Sequence, residues 1–178
     1  VGKTTLARDL AARFRLLYTH EGSPPTNTRA LTHYARLLQD ARIRAAHGMG
    51  TVFDRMARGE HVYGPLLRGR DDLGADGWRV FTRLVCACGA RQVLCLPTLG
   101  TCLEAFAASG GVRGLVRDPA IMRAQYSAWW VQAFAPDWTD AYVYDWTRPD
   151  ANRALDAFLA TPRLSLPVSL VGSPTASL

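Results

Sequence analysis

A chain of 178 residues, 48% apolar and 20% charged, is long enough to bury one core and too apolar to be a disordered segment. Its formal charge of +6, from 21 Lys and Arg against 15 Asp and Glu, favours anionic partners without choosing between a small nucleotide and a nucleic acid. No apolar run reaches the ~20 residues of a membrane span, and the opening Val1-Gly2-Lys3-Thr4-Thr5 is no secretory leader, so a cytoplasmic protein with reduced thiols is expected.

In chain order, Leu6, Leu10 and Phe14 recur at helical spacing and predict a helix over 2–15. Leu16-Leu17-Tyr18-Thr19 reads as a short apolar strand. It runs into a Gly- and Pro-containing loop at His20-Glu21-Gly22-Ser23-Pro24-Pro25. Thr26 or Asn27 would cap a long helix through about His47, ended by Gly48 and Gly50. Thr51-Val52-Phe53 is a strand leading straight into Asp54-Arg55.

The stretch from Gly59 to Gly74 holds Gly59, Gly64, Pro65, Gly69 and Gly74 and reads as loop. A helix follows from about Gly77 to Cys88. Gln92 to Leu96 is a buried strand, and Thr101 to Ala108 a helix broken by Ser109-Gly110-Gly111. Pro119 to Phe134 is another helix. Ala141 to Tyr144 is the last strand and Ala151 to Leu159 the last helix. The Pro-, Ser- and Leu-containing tail over 161–178 is expected to be flexible. Cys86, Cys88, Cys95 and Cys102 lack the spacing of a zinc site and are expected as buried thiols. Trp129-Trp130 is expected to pack rather than to stack on a base.

Apolar strands alternating with helices predict an α/β fold with a parallel sheet covered on both faces. Four strands are counted, and a strand just before Gly2 would make five.

The chemistry begins at Gly2-Lys3-Thr4, which opens the first helix and contains the only lysine of the chain. A P-loop closes in Gly-Lys-Ser/Thr between a strand and a helix, because backbone N–H groups at a helix start cradle phosphate oxygens. In that reading Gly2, Lys3, Thr4 and Thr5 bind the phosphates of ATP. Lys3 reaches the β- and γ-phosphates, and the Thr4 hydroxyl holds Mg²⁺. The strand and first glycine of such a loop are missing from this chain, so the chain is expected to be a fragment.

Asp54 to Gly64 reads Asp-Arg-Met-Ala-Arg-Gly-Glu-His-Val-Tyr-Gly. It resembles the thymidylate kinase signature at Asp54, Arg55 and Tyr63, and departs from it at Met56, Gly59, Val62 and Gly64. Val62-Tyr63-Gly64-Pro65-Leu66-Leu67-Arg68-Gly69 and Val93-Leu94-Cys95-Leu96-Pro97 look like a phage-type branch of that superfamily. Tyr142-Val143-Tyr144-Asp145-Trp146-Thr147 resembles its final strand and the loop near the adenine.

The resemblance implies a P-loop NTPase fold: a three-layer α/β/α kinase domain over 1–160, with a parallel five-stranded sheet and a lid at about 109–118. It implies an ATP- and Mg²⁺-dependent kinase of a deoxynucleotide, thymidylate-like, located in the host cytoplasm if phage-encoded. Asp54 would hold Mg²⁺ or orient the acceptor, and Arg55 would clamp the acceptor phosphate with its fork of donors. Tyr63 and Arg68 would border the acceptor, as would His20 and Glu21. Arg113 and Arg117 would be lid arginines that neutralise the transferring group.

Two alternatives stand beside this. One is a kinase of 5-hydroxymethyluracil within DNA, with DNA as the partner; an open basic groove beside Arg55, Arg58, Arg68 and Arg70 would favour it. The other is a nucleotide-binding P-loop protein without kinase activity.

Overall fold

The computed structural model describes residues 2–20, 29–110, 116–135 and 141–161. Its elements, in order, are α1 (Lys3–Phe14), β1 (Leu17–His20), α2 (Ala30–Ala46), β2 (Thr51–Asp54) and α3 (Arg58–Tyr63). A single π-helical turn (Gly64–Arg68) precedes α4 (Gly74–Ala87), β3 (Gln92–Cys95), α5 (Leu99–Ala108), α6 (Pro119–Ala133), β4 (Ala141–Tyr144) and α7 (Ala151–Ala160). Among the described residues no helix is long and apolar enough to cross a membrane.

The chain is α/β, and the four expected strands are present. They form two parallel pairs, β1 with β2 and β3 with β4, rather than one continuous sheet among the described residues. In the first pair Leu17 faces Thr51 and His20 faces Asp54. In the second Gln92 faces Ala141 and Cys95 faces Tyr144.

Strand alternation sorts the second pair into two faces. Val93, Cys95, Tyr142 and Tyr144 pack with Leu6 and Leu10 of α1 and Leu155 of α7. Leu94, Leu96, Ala141 and Val143 pack with Tyr126, Trp129 and Ala133 of α6. Helices therefore cover both faces of this pair, as expected for parallel strands with apolar side chains on each side. Helix α1 also packs against β1 and β2, so one helix lies under both pairs. A third cluster joins α2 and α4 through Tyr34, Leu38, Trp78, Phe81 and Val85, and it includes Ala57 just beyond β2.

Several boundaries depart from expectation. β1 runs one residue later than expected and includes His20. Thr26 and Asn27, expected to cap α2, lie outside the described residues, and the described N-cap is Arg29. α4 begins three residues early, at Gly74. α5 begins at Leu99, with the Thr98 side chain accepting from the Thr101 N–H at 3.2 Å.

The largest difference lies in the segment expected as loop. Gly59 to Arg68 is helical, first as α3 and then as the π turn. Glycine and proline signalled a break that tertiary contacts override. A Cβ on Gly64 would sit 2.5 Å from the Arg70 carbonyl oxygen. Gly64 thus serves close backbone approach rather than chain reversal. Cys86 is exposed rather than buried, Cys88 and Cys95 are half-buried, and only Cys102 is buried. Trp130 is 45% exposed and stacks on Tyr126.

Candidate active site

The candidate site forms where the start of α1 meets the carboxyl ends of β1 and β2. Gly2 caps α1 with φ +81°, a left-handed conformation that glycine adopts without steric cost. Its backbone lies against the Trp146 ring, 3.1 Å from where a Cβ would stand. Lys3 and Thr4 follow, half-buried, in the first turn, and Thr5 is exposed.

Thr4 Oγ1 donates to Asp54 Oδ2 at 2.5 Å, across 50 residues of chain. The same oxygen accepts from Tyr18 Oη at 3.1 Å and lies 3.0 Å from His20 Nδ1. Asp54 is 2% exposed, and its other oxygen, Oδ1, is buried with no hydrogen-bond partner among the described residues. Burial raises the Asp54 pKa, but the hydrogen bonds from Thr4, His20 and Tyr18 outweigh it and hold the carboxyl below its ordinary value. The result is a buried carboxylate with one saturated oxygen and one open oxygen.

Parallel register explains the arrangement. His20 pairs with Asp54 and Tyr18 with Val52. Residues 18 and 20 share a face of β1 because strand side chains alternate. Tyr18 escaped the sequence reading, although this period-2 relation to His20 was a usable signal. Arg8 lies over the Tyr18 ring, 5.5 Å from its centroid.

Cys95, at the end of β3, lies within electrostatic reach of both Lys3 and Asp54. Burial pushes its thiol up to about 11, partly offset by Lys3 and reinforced by Asp54. The Trp146 ring against Gly2, just beyond β4, brings the second strand pair to the edge of the site.

The other predicted residues are spread more widely. Arg55 directly follows Asp54, is exposed, and has φ +82°. That conformation is strained for a side-chain-bearing residue, by about 1 kcal/mol or more, and such strain concentrates at functional positions. Tyr63 is turned toward α6, where its ring meets Trp129 edge-on at 5.9 Å. Arg68 pairs with the buried Glu60 and lies 3.6 Å from Asp72. Arg117 is exposed. Glu21 and Arg113 lie outside the described residues.

Arg58 and Arg70 do not line an open basic groove. Arg58 is 7% exposed with its guanidinium over the Trp78 ring, and Arg70 pairs with Asp72 at 2.8 Å. A groove along Arg55, Arg58, Arg68 and Arg70, the feature that would favour DNA, is thus interrupted by burial of Arg58 and by carboxylates beside Arg68 and Arg70.

A second carboxylate, Asp71, links α3 to α4 through His61 and Trp78. Asp71 accepts from Trp78 Nε1 at 2.6 Å and from the Leu73 N–H at 2.9 Å, and lies 2.7 Å from His61 Nδ1. Burial raises its pKa, and these three contacts bring it below the ordinary value. Asp54 and Asp71 are both more acidic folded than unfolded. Their stabilisation is complete above the ordinary carboxyl value of 3.8 and is lost as pH falls through the folded values. The urea midpoint is expected to hold from pH 7 to 5 and to drop below about pH 4. Asp71→Asn should lower it at pH 7 and flatten that drop. A midpoint unchanged down to pH 3 would contradict the assignment.

No protein-family model matches the chain, and no curated protein does.

Proposed function

We propose that this chain carries the core of an ATP- and Mg²⁺-dependent P-loop kinase that transfers the γ-phosphoryl group to a deoxynucleotide, thymidylate-like acceptor. The observation that carries this reading is the Thr4–Asp54 hydrogen bond at 2.5 Å. It joins the hydroxyl of Gly-Lys-Thr at a helix start to a buried carboxylate at the end of a parallel strand. Phosphoryl transfer needs such positioning and charge neutralisation more than covalent chemistry.

The residues present fit a divalent cation. Asp54 Oδ1 is a buried, charged oxygen without a partner among the described residues, beside a hydroxyl that is itself a hard ligand. Thr4 and Asp54 would hold Mg²⁺, which when bound neutralises charge on the phosphate oxygens. Tyr18 and His20 keep the Asp54 carboxylate aimed by occupying Oδ2. Lys3 and the N–H groups at the start of α1 attract and orient phosphates. Exposed Arg55, at φ +82°, would meet an acceptor anion.

The same reading implies that the two strand pairs belong to one five-stranded parallel sheet, with a strand ahead of Gly2 between β2 and β3. The position of α1 beneath both pairs supports this, as does Cys95 within reach of Lys3 and Asp54. The interrupted basic groove favours a free nucleotide over DNA as the acceptor.

The test uses γ-labelled ATP and Mg²⁺, with and without a preceding strand-and-glycine segment encoded ahead of Val1. Thymidylate, hydroxymethyl-deoxyuridylate and DNA containing hydroxymethyluracil serve as separate acceptors. Label on a free monophosphate is the expected result. Label only on DNA would move the acceptor to the alternative. No label on any acceptor, with nucleotide still bound, would reduce the chain to a binding protein.

A further inference from the structure

We propose that the outer face of α4 carries a second anion site, one that takes the phosphate group of a phosphomonoester. A depression of about 420 Å³ lies on this helix, lined among the described residues by Ala75, Trp78, Arg79, Thr82 and Arg83. These positions follow the i, i+3, i+4, i+7, i+8 spacing and form one stripe. The volume falls within the range of small-ligand sites and accommodates a phosphate together with a sugar.

Charge selects the ligand. Arg79 and Arg83 stand four residues apart, so their guanidiniums are neighbours that repel each other. Arg83 is exposed and makes no ion pair among the described residues. Arg79 pairs with Asp76 at 3.1 Å, with side chains 73% and 92% exposed. A pair so exposed contributes little and exchanges readily for a better anion. A terminal phosphate carries nearly two negative charges at neutral pH, against one on a backbone diester. Two adjacent guanidinium forks therefore match the monoester.

The floor of the depression is fixed in place. Trp78 is 7% exposed, and its Nε1 donates to Asp71 at 2.6 Å. His61 meets the indole edge-on at 4.9 Å, and the Arg58 guanidinium lies over it at 5.1 Å. Asp71, the carboxylate on this floor, is already engaged by Trp78, Leu73 and His61. Thr82 supplies a further observation. Its hydroxyl oxygen is buried without a hydrogen-bond partner among the described residues. Such a group costs free energy that is not recovered. Rotation about χ1 toward a bound phosphate oxygen would recover it.

The experiment titrates the full chain by calorimetry with inorganic phosphate, ribose 5-phosphate and thymidine 5′-monophosphate. Single-stranded DNA without a terminal phosphate forms a separate arm. Lys3→Ala serves as the background, because it removes the phosphate-seeking side chain at the start of α1. All three small phosphates should still bind in that background, with affinities close to one another and falling as salt rises. Adding Arg79→Gln and Arg83→Gln should weaken each by at least about 10-fold, with Tm nearly unchanged because both side chains are exposed. Adding Thr82→Val instead should weaken binding by a few-fold while Tm holds or rises. Binding that survives the double arginine change overturns the site, as does binding already abolished by Lys3→Ala. The latter result would leave the kinase reading intact, since all phosphate would then sit at α1. Arginine-dependent binding of the DNA with none of the small phosphates would overturn the monoester as ligand.

Discussion

On the proposed kinase reading, Lys3→Ala is expected to reduce phosphoryl transfer by at least about 10²-fold, the usual consequence of removing one charge-stabilising donor from a preorganised site. Lys3 is the only lysine of the chain and lies in the first turn of α1, between a left-handed Gly2 and the Thr4 that bonds Asp54. Lysine serves phosphates as a flexible point charge, and no other ammonium on a side chain could replace it. The fold should be nearly indifferent. Lys3 belongs to none of the three apolar clusters, whereas Leu6 and Leu10 of the same helix anchor one of them. Tm should therefore move little while γ-label transfer falls, a contrast read by running both measurements on one preparation. Transfer at the wild-type rate would remove the P-loop assignment and the reading built on it.

Phe81→Ala is expected to produce the opposite pattern: large destabilisation, with chemistry lost only through unfolding. Phe81 is 2% exposed and meets Trp78 at 5.7 Å and Tyr34 at 6.2 Å, edge to face in both cases. Truncating a buried phenylalanine costs about 3–5 kcal/mol, from lost burial and the cavity left behind. Such a loss is a large share of a typical domain's stability. The cluster includes Ala57, with Met56 packed against it, so it also anchors the chain just after Asp54 and Arg55. The urea midpoint reads the effect directly. A change under about 1 kcal/mol would show that α2 and α4 do not share the core described here. At low temperature, where the variant stays folded, transfer per folded molecule should match wild type.

Local pattern determined much of this protein. Four apolar runs became four strands, because β-sheet burial needs short continuous apolar segments and little else. The periodicity of Leu6 and Leu10 became α1, and the position of Gly2-Lys3-Thr4 at its start was legible because helix starts and phosphate chemistry share the same backbone groups. Asp54 and Arg55 were legible at the end of a strand by their place in the chain.

What the sequence could not supply was any relation between distant segments. Strand pairing placed His20 beside Asp54 and brought Tyr18 onto the same carboxylate; periodicity describes one strand and says nothing of its neighbour's register. Gly64 read as a breaker, yet it sits inside a π turn because the Arg70 carbonyl approaches where a side chain would stand. Arg58, Arg68 and Arg70 looked alike as basic loop residues. Tertiary packing laid one on Trp78 and tied the other two to Glu60 and Asp72. Secondary structure follows from the chain's own neighbours within a few residues. Charge partners, burial and register are set by residues tens of positions away, and only the folded chain brings those together.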